Sequence, residues 1–283
     1  MKDILPITLT NIVLPISTFI DSMIVVNLLS LTFSNDISVF LYGLESGAVS
    51  SLVSIPTIFS FAIASVILPN ITYSKHVFNK NHKLTLAVKL VLIITIPCVI
   101  SFTLVPNRLI EFLYQNRLNA YGINGVSVAS KLLAISGFGI VFLSLNQVYS
   151  SSLQAIDERY VAIRNLVIAV VLKFVFQLVF MPSKILNIYA LAVANTICYV
   201  TVMVLNHFEI KENFRLKVGF GFWSKLVLSN CVMIIALISI MSLGRSVMNT
   251  LLAVLIAGVA YVFCLYKTTI LSRRDKAIFK YKV

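Results

Sequence analysis

Residues 4–29 read ILPITLTNIVLPISTFIDSMIVVNLL, an apolar run whose only charged residue is Asp21. About 20 predominantly apolar residues cross the hydrocarbon core of a bilayer as a helix. This run is too long for the apolar region of a signal peptide and lacks a small-residue cleavage site, so it reads as a spanning helix. Seven further stretches of the same kind follow: Gly43–Leu68, Thr85–Val105, Lys131–Leu153, Tyr160–Met181, Leu186–Asn206, Phe222–Leu243 and Thr250–Thr269. The 283 residues are 59% hydrophobic and 12% charged, whereas soluble domains lie near half apolar and a quarter charged. The expected fold is an all-α polytopic membrane protein of about eight transmembrane helices. A six-helix lobe is expected over 1–208, and two more helices with a basic tail over 209–283.

The net charge is +13, but the basic residues sit in short segments between apolar runs rather than on one face. That distribution excludes a nucleic-acid partner and fits the positive-inside rule. With the N-terminus in the cytoplasm, the inner side receives Lys2, Lys75, Lys80, Lys83, Arg159, Arg164, Lys211, Arg215, Lys217, Lys225, Lys267, Arg273, Arg274, Lys276, Lys280 and Lys282. The outer side receives Arg108, Arg117, Lys131, Lys184 and Arg245. Both termini are therefore expected inside, which requires an even number of spans. The longest connection, Pro106 to Ser130, is then external. Its segment Arg108–Tyr114 is amphipathic, as an interfacial helix or an ordinary short helix on the rim would be.

Polar residues inside the spans point to function. At 100° per residue, Thr10, Asn11, Ser17, Thr18, Asp21 and Ser22 fall within an arc of about 140° on the first helix. The fourth span aligns Ser136, Gln147, Ser151 and Gln154; the sixth aligns Asn195, Tyr199 and Asn206. The eighth, from Leu251 to Leu265, is almost featureless and suits a helix facing lipid. Polar groups in membrane helices often only bond neighbouring helices. So many on one face of the first helix instead favour a water-filled cavity.

Asp21 carries the most information. A carboxylate at that depth costs on the order of 3 kcal/mol, and such residues face a partner, a cavity or an ion path. It lies roughly 13 Å from the outer end of its helix, and Lys173 about 12 Å from the outer end of the fifth. The two are expected to share one electrostatic site, with Gln177 one turn along the same face. Lys89 and Arg164 are close enough to the cytoplasmic boundary for their stems to snorkel to the headgroups. Pro15, Pro56 and Pro97 are mid-helix and kink their spans.

The sequence holds no Asp-rich metal motif, HExxH, GxSxG or P-loop. Cys98, Cys198, Cys231 and Cys264 form no CxxC pair, and His76, His82 and His207 form no cluster with carboxylates. No metal or cofactor and no bond-making chemistry is expected.

A family resemblance rests on Leu5-Pro6-Ile7, Ile20-Asp21, Leu41-Tyr42-Gly43, Ile55-Pro56, Leu68-Pro69-Asn70-Ile71, Ser152-Leu153-Gln154-Ala155 and Val171-Leu172-Lys173, in that order. Through these the chain resembles the second half of the polysaccharide and lipid-linked oligosaccharide flippases of the multidrug/oligosaccharidyl-lipid/polysaccharide superfamily, nearest to the stage V sporulation protein B-like branch. It departs at Tyr189-Ala190, where a glycine is usual. The resemblance implies two six-helix lobes around a V-shaped cavity, with two extra helices at the C-terminus. Six plus two is the count here, so the first lobe is expected on a partner or missing. It implies a multi-pass protein of the bacterial plasma membrane that flips an undecaprenyl-linked sugar precursor by alternating access. Asp21, Lys173, Gln177, Asn11, Thr18, Gln147, Gln154 and Asn195 are the candidates for the substrate or ion site. Flippases of the lipid II type tend to line the cavity with several arginines. The first two helices here have none, which weighs against lipid II and leaves other glycolipids open. The alternative readings are an ion-coupled exporter of drugs or small cations, and an inactive fragment or scaffold.

Overall fold

The computed structural model describes residues 4–74, 76–183, 185–244, 246–272 and 275, without the side chains of 4–12, 14, 116 and 247. Lys2, Lys75, Lys184, Arg245, Arg273, Arg274, Lys276, Lys280 and Lys282 of the charge reading lie outside the described residues. Ten α-helices make up the described fold: α1 Ile4–Leu29, α2 Asn35–Gly43, α3 Ser50–Thr72, α4 Val77–Leu104, α5 Pro106–Tyr114, α6 Gly125–Ala155, α7 Arg159–Phe180, α8 Tyr189–Asn213, α9 Phe220–Ser242 and α10 Val247–Thr268. No strand occurs among the described residues. Seven helical stretches are long and apolar enough to cross a membrane, and α1 adds the shorter described apolar run Pro15–Leu29.

Each predicted span coincides with a helix, and the second differs most in extent. The sequence starts it at Gly43, the last residue of the Leu-Tyr-Gly triplet. The helix in fact begins at Asn35 and runs through a π-helical turn, Leu44–Val49, into α3. Glycine does not break it, because Gly43 has ordinary right-handed helical angles. In the connection from Pro106 to Ser130, Arg108–Tyr114 is the body of α5, started by Pro106 at its first turn. Its Ile110 is fully buried and the helix packs on α6 and α10, so it is a rim helix held by the protein.

Helix α6 is the hub, packing on α3, α4, α5, α7 and α8. Two of its glycines allow close approach: a Cβ at Gly137 would stand 2.9 Å from the Cβ of Phe102 on α4, and one at Gly139 would stand 3.0 Å from Thr196 Oγ1 on α8. Small residues at such crossings let helix backbones come together where no hydrophobic force drives them. The buried apolar side chains form one cluster around Leu133 and Ile188 and another around Val91 and Leu153. Large side chains such as Phe19, Ile58, Phe61, Val259 and Phe263 point outward, all at least 60% exposed, as a bilayer solvent requires.

Helices α9 and α10 pack on each other, α9 also against α4 and α10 against α5. The featureless reading of the last span needs one correction. Tyr261 is buried, and its hydroxyl donates to the carbonyl of Ile93 at 2.7 Å. Ile93 is four residues before Pro97, so its carbonyl is the one that Pro97, lacking an N–H, leaves without a helical partner. In hydrocarbon that group must find a donor elsewhere. Lys89, expected to snorkel, instead donates to Asp275 Oδ2 at 3.0 Å. Ser272 and Asp275 bond reciprocally, each side chain accepting from the other's backbone N–H, a capping box that presents the carboxylate to α4.

Tyr261→Phe should lower stability in detergent by about 1–2 kcal/mol, the cost of a buried carbonyl left unpaired. In a Pro97→Ala background the same change should cost less than ~0.5 kcal/mol, because the alanine N–H restores the helical bond. A thermal-melt double-mutant cycle reads both, and equal penalties in the two backgrounds would refute the pairing.

Candidate functional site: a charged cavity between α1, α3, α7 and α8

The polar arc of α1 faces inward at Ser17 and Asp21, only 2% and 5% exposed. Opposite them, α7 presents Lys173, 3% exposed, and Gln177, fully buried. Lys173 Nζ donates to Asp21 Oδ2 at 2.5 Å and to Ser17 Oγ at 2.9 Å, and Gln177 Nε2 donates to Asp21 Oδ1 at 3.0 Å. The similar depths read from the sequence therefore correspond to a direct ion pair. Both oxygens of the carboxylate are satisfied, as a charge withdrawn from water demands.

This network forms one wall of a cavity of about 390 Å³. Thr18 of α1 and Asn195, Thr196 and Tyr199 of α8 line it, with Tyr42, Glu45, Ser46 and Ser50 from the second span and Ser136 from α6. The close approach at Gly139 presses Thr196 and Tyr199 against α6 and so sets the position of α8 in the wall. Glu45 lies in the π-helical turn. Its Oε1 accepts from Ser136 at 3.1 Å, while its buried Oε2 has no partner among the described atoms. Such single π turns in long helices occur often at functional sites.

Glu45 is not among the residues singled out from the sequence, where the second span starts at Gly43, two residues before it. With the helix starting at Asn35, Glu45 is about 15 Å inside it. The signal was the same as for Asp21, a lone carboxylate within an apolar run.

Of the other candidates, Thr18 and Asn195 line the cavity with Asp21 and Lys173. Gln147 and Gln154 do not: the α6 stripe is divided, with only Ser136 on the cavity side. The Oε1 of Gln147 is buried without a partner among the described atoms. Asn11 lies on the part of α1 whose side chains are outside the described residues. A second polar assembly that sequence spacing had not grouped crosses α6, α7 and α8. Asn165 donates to Asn206 at 2.9 Å, and Asn206 donates to Asn146 at 2.7 Å and to Ser150 at 3.0 Å. These residues bond one another rather than the cavity, the inter-helix role common for membrane polar groups. Arg164 sits beside this ladder and pairs with Glu209 of α8 at 2.7 Å instead of only reaching for headgroups. No group of His, Cys, Asp and Glu suited to a metal ion occurs among the described residues.

Among solved structures, this fold is similar to a lipid II flippase MurJ in an inward closed conformation, with a TM-score of 0.70 and 21% identity. The superposition covers 93% of this chain and 53% of that one, so the chain spans about half the length of the solved flippase. No curated protein sequence matches it. A family model described as Lipid II flippase MurJ matches residues 4–263. The superfamily expected from the sequence holds at this level, whereas the polysaccharide branch is replaced by the lipid II branch. The absence of arginine from the first two spans, which weighed against lipid II, does not set the chain apart from this family. With its fold and its sequence matched along nearly the whole length, the chain belongs to the lipid II flippase MurJ family.

Proposed function

We propose that this chain forms one wall of a flippase cavity that carries lipid II, an undecaprenyl-linked sugar precursor, across the bacterial plasma membrane by alternating access. No covalent bond is made or broken. The observation that carries this reading is the Asp21–Lys173–Gln177 network lining a polar cavity inside an apolar helical bundle. Lys173 is the one cation among the described lining residues. A pyrophosphate head needs such a charge-assisted contact and competes with Asp21 for it. A conformation in which Asp21 releases Lys173 binds the head more tightly than the paired one, and only such a difference in affinity shifts a population.

Eight spans with both termini cytoplasmic are part of the proposal. The seven membrane-length helices together with α1 support the count. The separation of Arg108, Arg117 and Lys131 from Arg159, Arg164, Lys211, Arg215, Lys217 and Lys225 supports the orientation. The six-helix lobe over 1–208 works with a second lobe, on another chain or another part of this one. Support comes from an exposed stripe at the cavity mouth, Gly43, Ser46, Gly47 and Ser50, which offers lipid little to pack on and suits a facing helix.

One observation favours a second reading. Asp21 and Glu45 are two carboxylates in a single cavity, and Glu45 has an unpaired buried oxygen. Such an arrangement also serves an exporter of small cations driven by protons or sodium.

Lys173→Met should lower stability by about 3–5 kcal/mol, because Asp21 is left charged and buried, whereas the Asp21→Leu/Lys173→Met double variant should recover most of it. Denaturation in detergent checks this, and additive losses would refute the pairing. In a lipid II accessibility assay with the second lobe co-expressed, Lys173→Gln should reduce flipping about 10- to 100-fold, the loss of one charge-assisted contact. The swap Asp21→Lys/Lys173→Asp should restore stability but not flipping, since it moves the cation to the other wall. Undiminished flipping by Lys173→Gln would sink the flippase reading, and cationic-dye efflux that depends on Asp21 without any effect on lipid II would establish the exporter.

A further inference from the structure

On the far side of α6 from the Asp21 cavity lies a second, larger one of about 650 Å³ between α4, α6, α8 and α9. Its volume falls within the roughly 300–1,000 Å³ usual for small-molecule sites. Its lining changes character with depth. Lys211, Arg215 and Lys217 surround the mouth, Tyr149, His207 and Trp223 follow, and Val88, Leu92 and Leu145 form an aliphatic floor. Lys211 is two residues from the end of α8 and Trp223 three from the start of α9. Leu145 lies ten residues before the end of α6, about 15 Å deeper along that helix.

The mouth is built by the extended link between α8 and α9. Alternation along it buries Phe214 and half-buries Leu216 and Val218 while Arg215 and Lys217 point outward. The Arg215 backbone N–H is anchored on Asn81 Oδ1 of α4 at 3.2 Å. No carboxylate is among the described residues that line the cavity: Glu209 is engaged by Arg164, and Glu212 is exposed at the helix end. None of the three cations forms an ion pair among the described residues. Tyr149 and His207, in contact at 3.2 Å, place polar atoms midway down the wall.

The geometry points to a binding site for an anionic phospholipid of the bilayer, with its phosphate among Lys211, Arg215 and Lys217 and the start of one acyl chain on Val88, Leu92 and Leu145. Three cations without an ion-pair partner among the described residues, at a helix-end mouth, select an anionic over a zwitterionic head. An aliphatic floor is wasted on a soluble phosphate, and Trp223 stands at the level where aromatic side chains meet headgroups. This site shares no lining residue with the Asp21 cavity, so a lipid held here is structural or regulatory rather than transported.

Native mass spectrometry of the full chain released from dioleoyl-phosphatidylcholine nanodiscs doped with dioleoyl-phosphatidylglycerol tests the site without any transport readout. The wild type should retain one phosphatidylglycerol in preference to phosphatidylcholine. Retention should fall about five-fold for each cation removed, hence roughly 100-fold in Lys211→Gln/Arg215→Gln/Lys217→Gln. The control Arg108→Gln/Arg117→Gln/Lys131→Gln, at the opposite end, should retain the lipid as the wild type does. Leu145→Trp, which fills the floor and leaves every charge in place, should also lose it. Equal retention of the two lipids, or unchanged retention in the triple variant, overturns the proposal. Displacement of phosphatidylglycerol by millimolar inorganic phosphate, with Leu145→Trp behaving as wild type, overturns the lipid assignment in favour of a soluble anion.

Discussion

Placing an ion pair inside a bilayer sets conditions that the rest of the bundle must meet. Each ion loses several kcal/mol of hydration when buried, and the mutual attraction compensates only when geometry and accessory hydrogen bonds are complete. Here Asp21 accepts from Lys173 on one oxygen and from Gln177 on the other, while Lys173 also reaches Ser17. Because α1 packs chiefly on α7 and α2, this network is, among the described residues, a polar tie between α1 and the remaining bundle. The cavity exists because α1 is held there; with α1 displaced, Thr18 and Ser17 would no longer face Asn195 and Tyr199. The same bonds also make the wall responsive. A ligand that takes Lys173 away from Asp21 removes the tie, so occupancy and the position of α1 are linked through one contact.

Away from the cavity, several polar groups of the described bundle find partners of their own. The Asn146–Asn165–Asn206 ladder locks α6, α7 and α8 together with amides that satisfy each other. Pro97 opens the backbone of α4 and Tyr261 of α10 closes it. Serine and threonine hydroxyls on exposed faces, such as those of Ser22, Ser65 and Thr103, bond back to their own helices. This isolation leaves Asp21, Lys173 and Glu45 as the charges that respond to what enters.

The spans were legible in the sequence because hydrocarbon imposes length and apolarity on every crossing helix, and those two quantities survive without tertiary information. Asp21 and Lys173 were legible for the same reason: a charge at bilayer depth stands out, and two of opposite sign at equal depth must find each other or water. What lay hidden depends on helix phase and helix ends. Gln147 and Gln154 share a stripe with Ser136, yet α6 is the hub and packs on five other helices, so a common face does not mean a common site. Glu45 stands two residues into the span read from the sequence, whereas the helix starts eight residues earlier. Tyr261 was missed because a lone tyrosine in an apolar span carries no hint that a proline on another helix needs its hydroxyl.

The exposed side of the cavity argues for a facing wall. Around its mouth α2, the π turn and α3 turn outward Gly43, Ser46, Gly47 and Ser50, while a few residues away the same helical span exposes Ile55, Ile58, Phe59 and Phe61. Lipid rewards the second group and gains almost nothing from the first, because small and polar side chains offer it little contact area and no hydrogen-bond partners. A facing helix does the reverse, since small residues let backbones approach and shed the lipid between them. With the proposed second wall in place, the change from small to bulky along one span marks where a protein neighbour would end and lipid begin. The small, polar portion is the part that borders Asp21, Lys173 and Glu45. A charge network this close to an uncovered opening would otherwise confront hydrocarbon, which is the physical ground for the second wall proposed opposite it.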